Sequence, residues 1–327
     1  MQHGKRSNFI RGFAFYDQKQ AMNKRSNETV QEIHSIPQLH KLLGLPEPEH
    51  PLVSVNGLIR AESFTALNAR PAVYHFYSIC IKKNFEGKVK YGQTYYDHDA
   101  GVLSFYAPGQ VTATEVSANQ DATGEWLIFH PDLVRPYPLF DKIKTYGFFA
   151  YAMQEALHLS AQEQQVIEKI WAGIREEYRG NIDTFSQDVI VSHIDLLLSY
   201  CNRFYNRQFL TRRKANNDLL SRFEALLQGY YQAEEGLHKG LPAVSYFAEK
   251  LFVSAQYLSD LLRHLTGMTA QQHIHQHVIA LAKEKLVQSN KPIGIIAYEL
   301  GFEYPQSFNK LFRNKTGMSP KAFRDPG

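Results

Sequence analysis

The sequence predicts an α+β chain of several domains. An N-terminal antiparallel β-barrel or sandwich leads into a helical pair, and an all-α domain made of two helix-turn-helix units follows. Three observations carry this. Short apolar runs at about ten-residue spacing, separated by Gly, Pro and Asp turns, fill residues 51–131. Two long stretches of helical period follow Ser160. From Leu241 to Arg324 one short pattern is written twice, and its Thr-Gly-Met triplets at 266–268 and 316–318 lie 50 residues apart.

Taken in order, residues 1–50 read as an N-terminal arm ending in a short helix, Ile36 to Leu43, stopped by Gly44 and Pro46. Residues 51–159 read as the β-domain. Its strands are expected at Leu52–Val55, Ala72–Ile81, Val89–Tyr96, Gly101–Tyr106, Gln110–Val116 and Glu125–Phe129. Aromatics crowd these strands (Tyr74, Phe76, Tyr77, Tyr91, Phe105, Tyr106) and would fill a barrel core before lining any small-molecule pocket. Residues 160–207 read as the helical pair. Ser160-Ala161-Gln162-Glu163 is a capping box for the first helix, and Asp183 can cap the second. That second helix has two apolar stripes, Phe185, Val189, Leu196 and Phe204 on one side and Ile190, Ile194, Leu197 and Cys201 on the other. A helix apolar on two sides should pack against its own domain and something else, and a second subunit is the natural candidate. The polar, basic residues 208–217 read as a linker to the last domain, 218–327.

In that domain each copy of the pattern holds two amphipathic helices. Val244, Phe247, Ala248 and Leu251 are followed by Leu258, Leu261, Leu262 and Leu265. Ile293, Ile296, Ala297 and Leu300 are followed by Phe308, Leu311 and Phe312. Only a few residues separate the paired helices, which is helix-turn-helix spacing. Ser254 can cap the second helix of copy one, and Gly301 can take positive φ after the first helix of copy two. A further helix, Gln276 to Val287, joins the copies through Ile279, Ala282 and Leu286.

Composition sets the outer bounds. At 327 residues, 44% apolar and 21% charged, the chain has the make-up of a globular protein of two or three domains. No apolar run reaches the roughly 18 residues of a membrane span, and the polar, basic start shows no signal-peptide core. Cys80 and Cys201 lack metal-ligand spacing and read as small buried hydrophobes in a reducing, cytoplasmic compartment. The net charge of +4 is uneven: residues 211–327 hold 15 Lys+Arg against 10 Asp+Glu, while the rest is slightly acidic. The excess favours a polyanion at the C-terminal end.

The signature Ala297-x-x-Leu300-Gly301-Phe302, Ser307-Phe308-Asn309-Lys310-Leu311-Phe312-Arg313, Thr316-Gly317-Met318-Ser319-Pro320 and Phe323-Arg324 resembles the DNA-binding domain of the AraC/XylS family of bacterial transcription regulators. The resemblance covers the last 85–100 residues or so. It implies that the second helix of each unit enters the major groove, with successive grooves about 34 Å apart. The base-facing candidates are Gln256, Ser259, Asp260 and Arg263 in copy one and Gln306, Asn309, Lys310 and Arg313 in copy two. Gln and Asn suit adenine and Arg or Lys guanine, while either arginine could equally hold phosphate. Asp260 departs from the family, which often has a basic residue there; it can accept from cytosine N4 or pair with Arg263. Val278 stands where the family often has another basic residue.

By the same resemblance the front half looks like a cupin-like sensor and dimerisation domain. Its local echo is Tyr95-x-Asp97-His98-Asp99-x-Gly101 followed by Phe105 to Gly109. A catalytic cupin needs several imidazoles and a carboxylate around a metal. Here His75, His98 and His130 stand singly, and His273-Ile274-His275-Gln276-His277 falls on an expected helix, where i and i+2 diverge. The reading is therefore a non-enzymatic, sequence-specific DNA-binding regulator with no cofactor and no metal. Double-stranded DNA, a second copy of the chain, a candidate small-molecule effector in the barrel and RNA polymerase are its expected partners. Two alternatives stand beside it: a metal-dependent cupin enzyme fused to a DNA-binding tail, and a ligand-independent regulator whose barrel is only a dimerisation scaffold.

Overall fold

The structure is a computed structural model. It describes residues 30–57, 72–83, 101–112, 123–152, 155–180, 183–232 and 240–325. The chain divides into two compact units, Met1–Tyr205 and Asn206–Gly327.

Among the described residues the first unit is built on two sheets. One has the order β1–β3–β6, from β1 (Gln31–Ile33), β3 (Ala72–Tyr74) and β6 (Val111–Thr112). The other has the order β2–β7–β4–β5–β8, from β2 (Val53–Gly57), β7 (Thr123–Phe129), β4 (Tyr77–Lys83), β5 (Gly101–Tyr106) and β8 (Leu157–Leu159). Pairing is antiparallel except for β1 with β3, which run parallel. The expected antiparallel sheet is present, but the two sheets share no strand and close no barrel among the described residues. The run Ala72–Ile81, expected as one strand, is broken at His75-Phe76 into β3 and β4. The break lets one stretch of chain serve both sheets and drives Phe76 into the core between them, where it is 1% exposed. In β2, Val53, Ser54 and Val55 are all buried, Ser54 held by the buried His40 through Nε2 at 2.9 Å. The expected strand Val89–Tyr96, which holds Tyr91 and Tyr95, lies outside the described residues, as does His98 after it.

Helix α1 (Ile36–Leu43) starts at Ser35, whose hydroxyl accepts from the Gln38 amide at 3.3 Å, and stops at Gly44 with φ +66°. Its Ile36, Leu39 and Leu43 pack with Ile33, Phe76, Trp126 and Ile128 into one core. Two short helices, α2 (Pro131–Val134) and α3 (Leu139–Lys142), follow β7. Helix α4 (Ala161–Arg179) opens on the predicted capping box, Ser160 Oγ to Glu163 N at 3.2 Å and Glu163 Oε2 to Ser160 N at 2.9 Å. It packs on β2, and Arg175 pairs with Glu125 of β7 at 2.6 Å.

Helix α5 (Ser186–Thr211) begins where Asp183 Oδ1 accepts the amides of Phe185 and Ser186 at 2.7 and 3.0 Å. One predicted stripe, Ile190, Ile194, Leu197 and Cys201, is buried. The other keeps Phe185, Val189 and Leu196 exposed, while Phe204 is buried with the core. Burial raises both thiols, Cys80 to about 11 and Cys201 further, so both stay protonated.

Residues 208–217 are helical throughout except for a turn at Arg212, as α5 runs to Thr211 and α6 (Arg213–Gln232) starts at once. Their polarity misleads because Gln208, Arg212 and Asn216 form a buried i, i+4, i+8 stripe. Asn216 Nδ2 is satisfied by the Phe209 carbonyl at 2.7 Å.

After α6 the described residues of the second unit form helices only: α7 (Val244–Leu251), α8 (Ala255–Thr266), α9 (Ala270–Gln288), α10 (Ile293–Glu299), α11 (Pro305–Thr316) and α12 (Pro320–Arg324). One core runs through it, from Phe223 and Phe247 to Ile274, Ile296, Phe308 and Phe312. Helix α9 is about two turns longer than the Gln276–Val287 expected, because Thr269 and Gln272 form a capping box ahead of it. Val278 sits at 0% exposure on its inner face, a site closed to a basic side chain. Glu299 at the end of α10 receives Lys285 of α9 at 2.7 Å and also Lys291. These two hydrogen bonds hold its carboxyl below the usual carboxylate range. A depressed folded value stabilises above the unfolded carboxylate pKa, and the gain is lost as pH falls through the folded value. Glu299→Gln is expected to cost about 1 kcal/mol or less at neutral pH and to flatten the acid limb of stability, read by denaturant titration between roughly pH 3 and 6.

Candidate nucleic-acid interface

The two recognition-helix candidates, α8 and α11, are built by one set of local rules. In copy one the chain leaves α7 through Phe252 at φ +60°, and the Val253 amide reaches back to the Ala248 carbonyl at 3.0 Å. In copy two Gly301 takes φ +89° and the Phe302 amide reaches the Ala297 carbonyl at 3.0 Å. Both are the six-to-one closure of a helix C-terminus. Ser254 then caps α8, its hydroxyl accepting from Tyr257 N at 3.2 Å. Pro305 starts α11 without a side-chain cap. Phe252 pays for a left-handed conformation that glycine adopts freely, and the residue is 45% exposed. Phe252→Gly is therefore expected to be neutral or to stabilise the domain by up to about 1 kcal/mol, measured as a shift in the thermal midpoint.

Each Thr-Gly-Met triplet closes one helix and starts the next. Thr266 Oγ1 donates to the Leu262 carbonyl and Thr316 Oγ1 to the Phe312 carbonyl, both at 2.8 Å. Gly267 and Gly317 sit at φ +79° and +82°, with amides 2.8 Å from the Arg263 and Arg313 carbonyls. Thr269 and Ser319 then cap α9 and α12. The direction of each recognition helix relative to its successor is thus fixed by threonine and serine side-chain bonds to the backbone together with the glycine amide bonds.

With Tyr257, Leu258, Leu261 and Leu262 buried on α8 and Phe308 and Phe312 on α11, the opposite faces turn outward. All four predicted residues of copy two, Gln306, Asn309, Lys310 and Arg313, are exposed on one face of α11. Copy one differs. Gln256 and Arg263 are exposed, but Ser259 and Asp260 are half-buried. Asp260 accepts from Gln256 Nε2 at 3.0 Å and lies 3.5 Å from Arg263 NH1. The departure noted in the sequence thus ties together two of the three other candidates on its helix.

Beside α11 lies a cleft of about 550 Å³, lined by Asn309, Lys310 and Arg313 together with Ile293, Asn314, Ser319, Pro320 and Lys321. Lys321 and Asn314 were missed by sequence reasoning. The available signal was Lys321 two residues past the Ser319 cap, in the first turn of a helix following a recognition helix. A larger cleft of about 790 Å³ is lined by Tyr231, His273, His277 and Glu284 among others and contains none of the eight candidates. The histidines of 273–277 lie on α9 as expected and face separate neighbours: Thr266 Oγ1 at 2.8 Å from His273, Gln271 at 2.7 Å from His275, and the Tyr231 ring beside His277. Burial lowers the pKa of all three. His130 caps α2 by accepting from the Asp132 amide at 3.2 Å.

Comparison with known proteins places this geometry. Residues 247–325 match the family model described as a helix-turn-helix domain. The regulatory protein SoxS of Salmonella typhimurium is 32% identical over 77 residues, which are 24% of this chain and 72% of that protein. The transcriptional activator RhaR of Escherichia coli is 33% identical over 82 residues, 25% of this chain and 29% of RhaR. The bifunctional transcriptional activator/DNA repair enzyme AdaA of Bacillus subtilis is 35% identical over 71 residues, 22% of this chain; the chain spans about a third of AdaA, 34%. The matched segment in each case falls within the size of the paired helix-turn-helix units, and by it the chain belongs to the AraC/XylS family of transcription regulators.

Proposed function

We propose that the whole chain is a sequence-specific DNA-binding transcription regulator. The carrying observation is the exposed, polar and cationic face of α11, Gln306, Asn309, Lys310 and Arg313, on a helix whose other face is locked into the core. In the major groove Gln306 and Asn309 would select adenine and Lys310 guanine, while Arg313 and Lys321 would hold phosphates and set the helix's position. Because Asp260 engages Gln256 and Arg263, copy one would contribute position more than selection.

The first unit would complete a cupin-like barrel that senses an effector or serves dimerisation, with residues 1–50 as arm, 51–159 as barrel and 160–207 as helical pair. The unmet apolar face of α5, Phe185, Val189 and Leu196, supports a homodimer. An effector would act by binding two states of the first unit with different affinity, and RNA polymerase is the expected target of an activating form. The cytoplasm is the compartment this work requires; no helix among the described residues is long and apolar enough to cross a membrane.

The test is binding of the full chain to DNA from its own upstream region and to a scrambled control over a salt series, with selection from random DNA if the two are equal. Sequence preference that persists as salt rises supports the reading. Failure to select any sequence, with binding that vanishes as salt rises, would leave only a basic surface.

A further inference from the structure

A second cluster of chemistry-bearing side chains lies in the first unit, and the parallel pairing of β1 with β3 creates it. Glu32 is opposite Val73 and Ile33 opposite Tyr74. One step further along this register His34 meets His75, whose amide donates to the Ile33 carbonyl at 3.0 Å. Strand alternation puts Glu32 and His34 on one face. The two imidazoles stack with centroids 4.3 Å apart and planes 21° from parallel. Nε2 of His34 lies 3.3 Å, and Nε2 of His75 3.2 Å, from the same oxygen, Glu32 Oε2. All three donor atoms fall within 4.8 Å of one another. His75, single in the sequence, is therefore not single in the fold.

The backbone beneath the cluster is braced. The His34 amide donates to Gln38 Oε1 at 2.9 Å, and Gln38 Nε2 donates to the Glu32 carbonyl at 3.4 Å. Gln38 in turn sits in the first turn of α1, capped by Ser35. Two of the three donors thus come from a strand end that the next helix holds in place, as a metal site needs.

We infer that Glu32, His34 and His75 form a binding site for a divalent transition-metal ion, with zinc the best fit, and that the ion clasps β1 to β3. Zinc bound tetrahedrally at about 2.0–2.1 Å requires ligand atoms about 3.3–3.4 Å apart. The two nitrogen-to-oxygen separations, 3.2 and 3.3 Å, are close to that edge length, and because near-parallel rings 4.3 Å apart hold their Nε2 lone pairs in separate planes, the exposed His34 ring turns out of the stack for both to meet one ion. Two imidazoles and a carboxylate are a zinc donor set with the fourth position left to water. The 63% exposure of the His34 side chain and 56% of Glu32 leave that position reachable. Such an ion binds the native strand pairing and not the unfolded chain, so it stabilises the pairing by mass action. This inference is independent of how the second unit meets DNA.

The test uses the untagged full chain, stripped of metal, titrated with zinc against a chromophoric competitor. The wild type is expected to bind one zinc per chain that His34→Gln/His75→Gln does not bind. Glu32→Gln is expected to weaken the same site about tenfold or more. Cobalt in place of zinc should give the strong visible absorption of a tetrahedral centre in the wild type only. Equal zinc affinity and stoichiometry in wild type and double variant would overturn the site. So would a wild type that takes up no zinc at micromolar concentrations while its circular dichroism shows it folded. Should the double variant misfold, Glu32→Gln decides alone: Glu32 is exposed, its replacement is near-isosteric, and unchanged zinc affinity in it refutes the inference.

Discussion

Gly301→Ala is expected to destabilise the second unit by about 3 kcal/mol or more. Two costs add. At φ +89° any side chain is strained, typically by about 1–2 kcal/mol. A Cβ there would also lie 2.6 Å from the Gly240 carbonyl carbon, 2.7 Å from its oxygen and 2.7 Å from the Leu241 nitrogen, all backbone atoms that no rotamer change can move. Relief by shifting residue 240 is resisted, because the Tyr230 hydroxyl donates to the Gly240 carbonyl at 2.7 Å. The measurement is thermal or denaturant unfolding followed by far-ultraviolet circular dichroism, which the helices of the second unit dominate in that transition. Both tryptophans of the chain, Trp126 and Trp171, belong to the first unit, so their fluorescence supplies an internal reference. A helical transition that does not move would show that the turn at 301 yields far more readily than this packing implies.

Replacing Gln306, Asn309 and Lys310 together by Ala is expected to cost about a hundredfold or more in affinity for the selected DNA, and much less for scrambled DNA. Each good base contact is worth about 1–3 kcal/mol. All three side chains are exposed, so the fold should hardly feel the change, about 0.5 kcal/mol per site at most. Gln256→Ala/Arg263→Ala should lose about tenfold or less, since Asp260 already occupies both side chains. Arg313→Ala should weaken binding to both DNAs and lower the salt slope by about one ion. Fluorescence anisotropy on the full chain measures all of these. Equal losses on selected and scrambled DNA, or a larger loss from the copy-one pair, would contradict the assigned roles.

The second unit was legible because its signals are local and repeated. Thr266-Gly267-Met268 and Thr316-Gly317-Met318 announce the same helix stop, and the leucine and phenylalanine stripes announce the same buried face. The exposure of the copy-two candidates followed from that phase. The tie among Gln256, Asp260 and Arg263 could be guessed only in part, since i+3 and i+4 spacing permits such a contact without requiring it. The first unit hid more. Three residues of β1 carry no period, and their partner lies about 40 residues on in a parallel pairing that nothing nearby announces. Residues 208–217 misled for a different reason. Gln208, Arg212 and Asn216 are polar residues buried on a helix stripe, so a composition that reads as linker is helix.

The turn that differs between the two copies bears on how far the halves of the domain could be interchanged. Phe252 and Gly301 occupy equivalent places, and the backbone follows the same left-handed course through both. Only at Gly301 does another stretch of main chain press against the spot where a side chain would begin. Transplanting the glycine turn into the first copy should therefore be harmless, whereas the reverse graft would wedge a ring against residues 240 and 241. Symmetry at the level of the motif is broken by a neighbour that only one copy has, and tolerance to sequence drift is correspondingly one-sided.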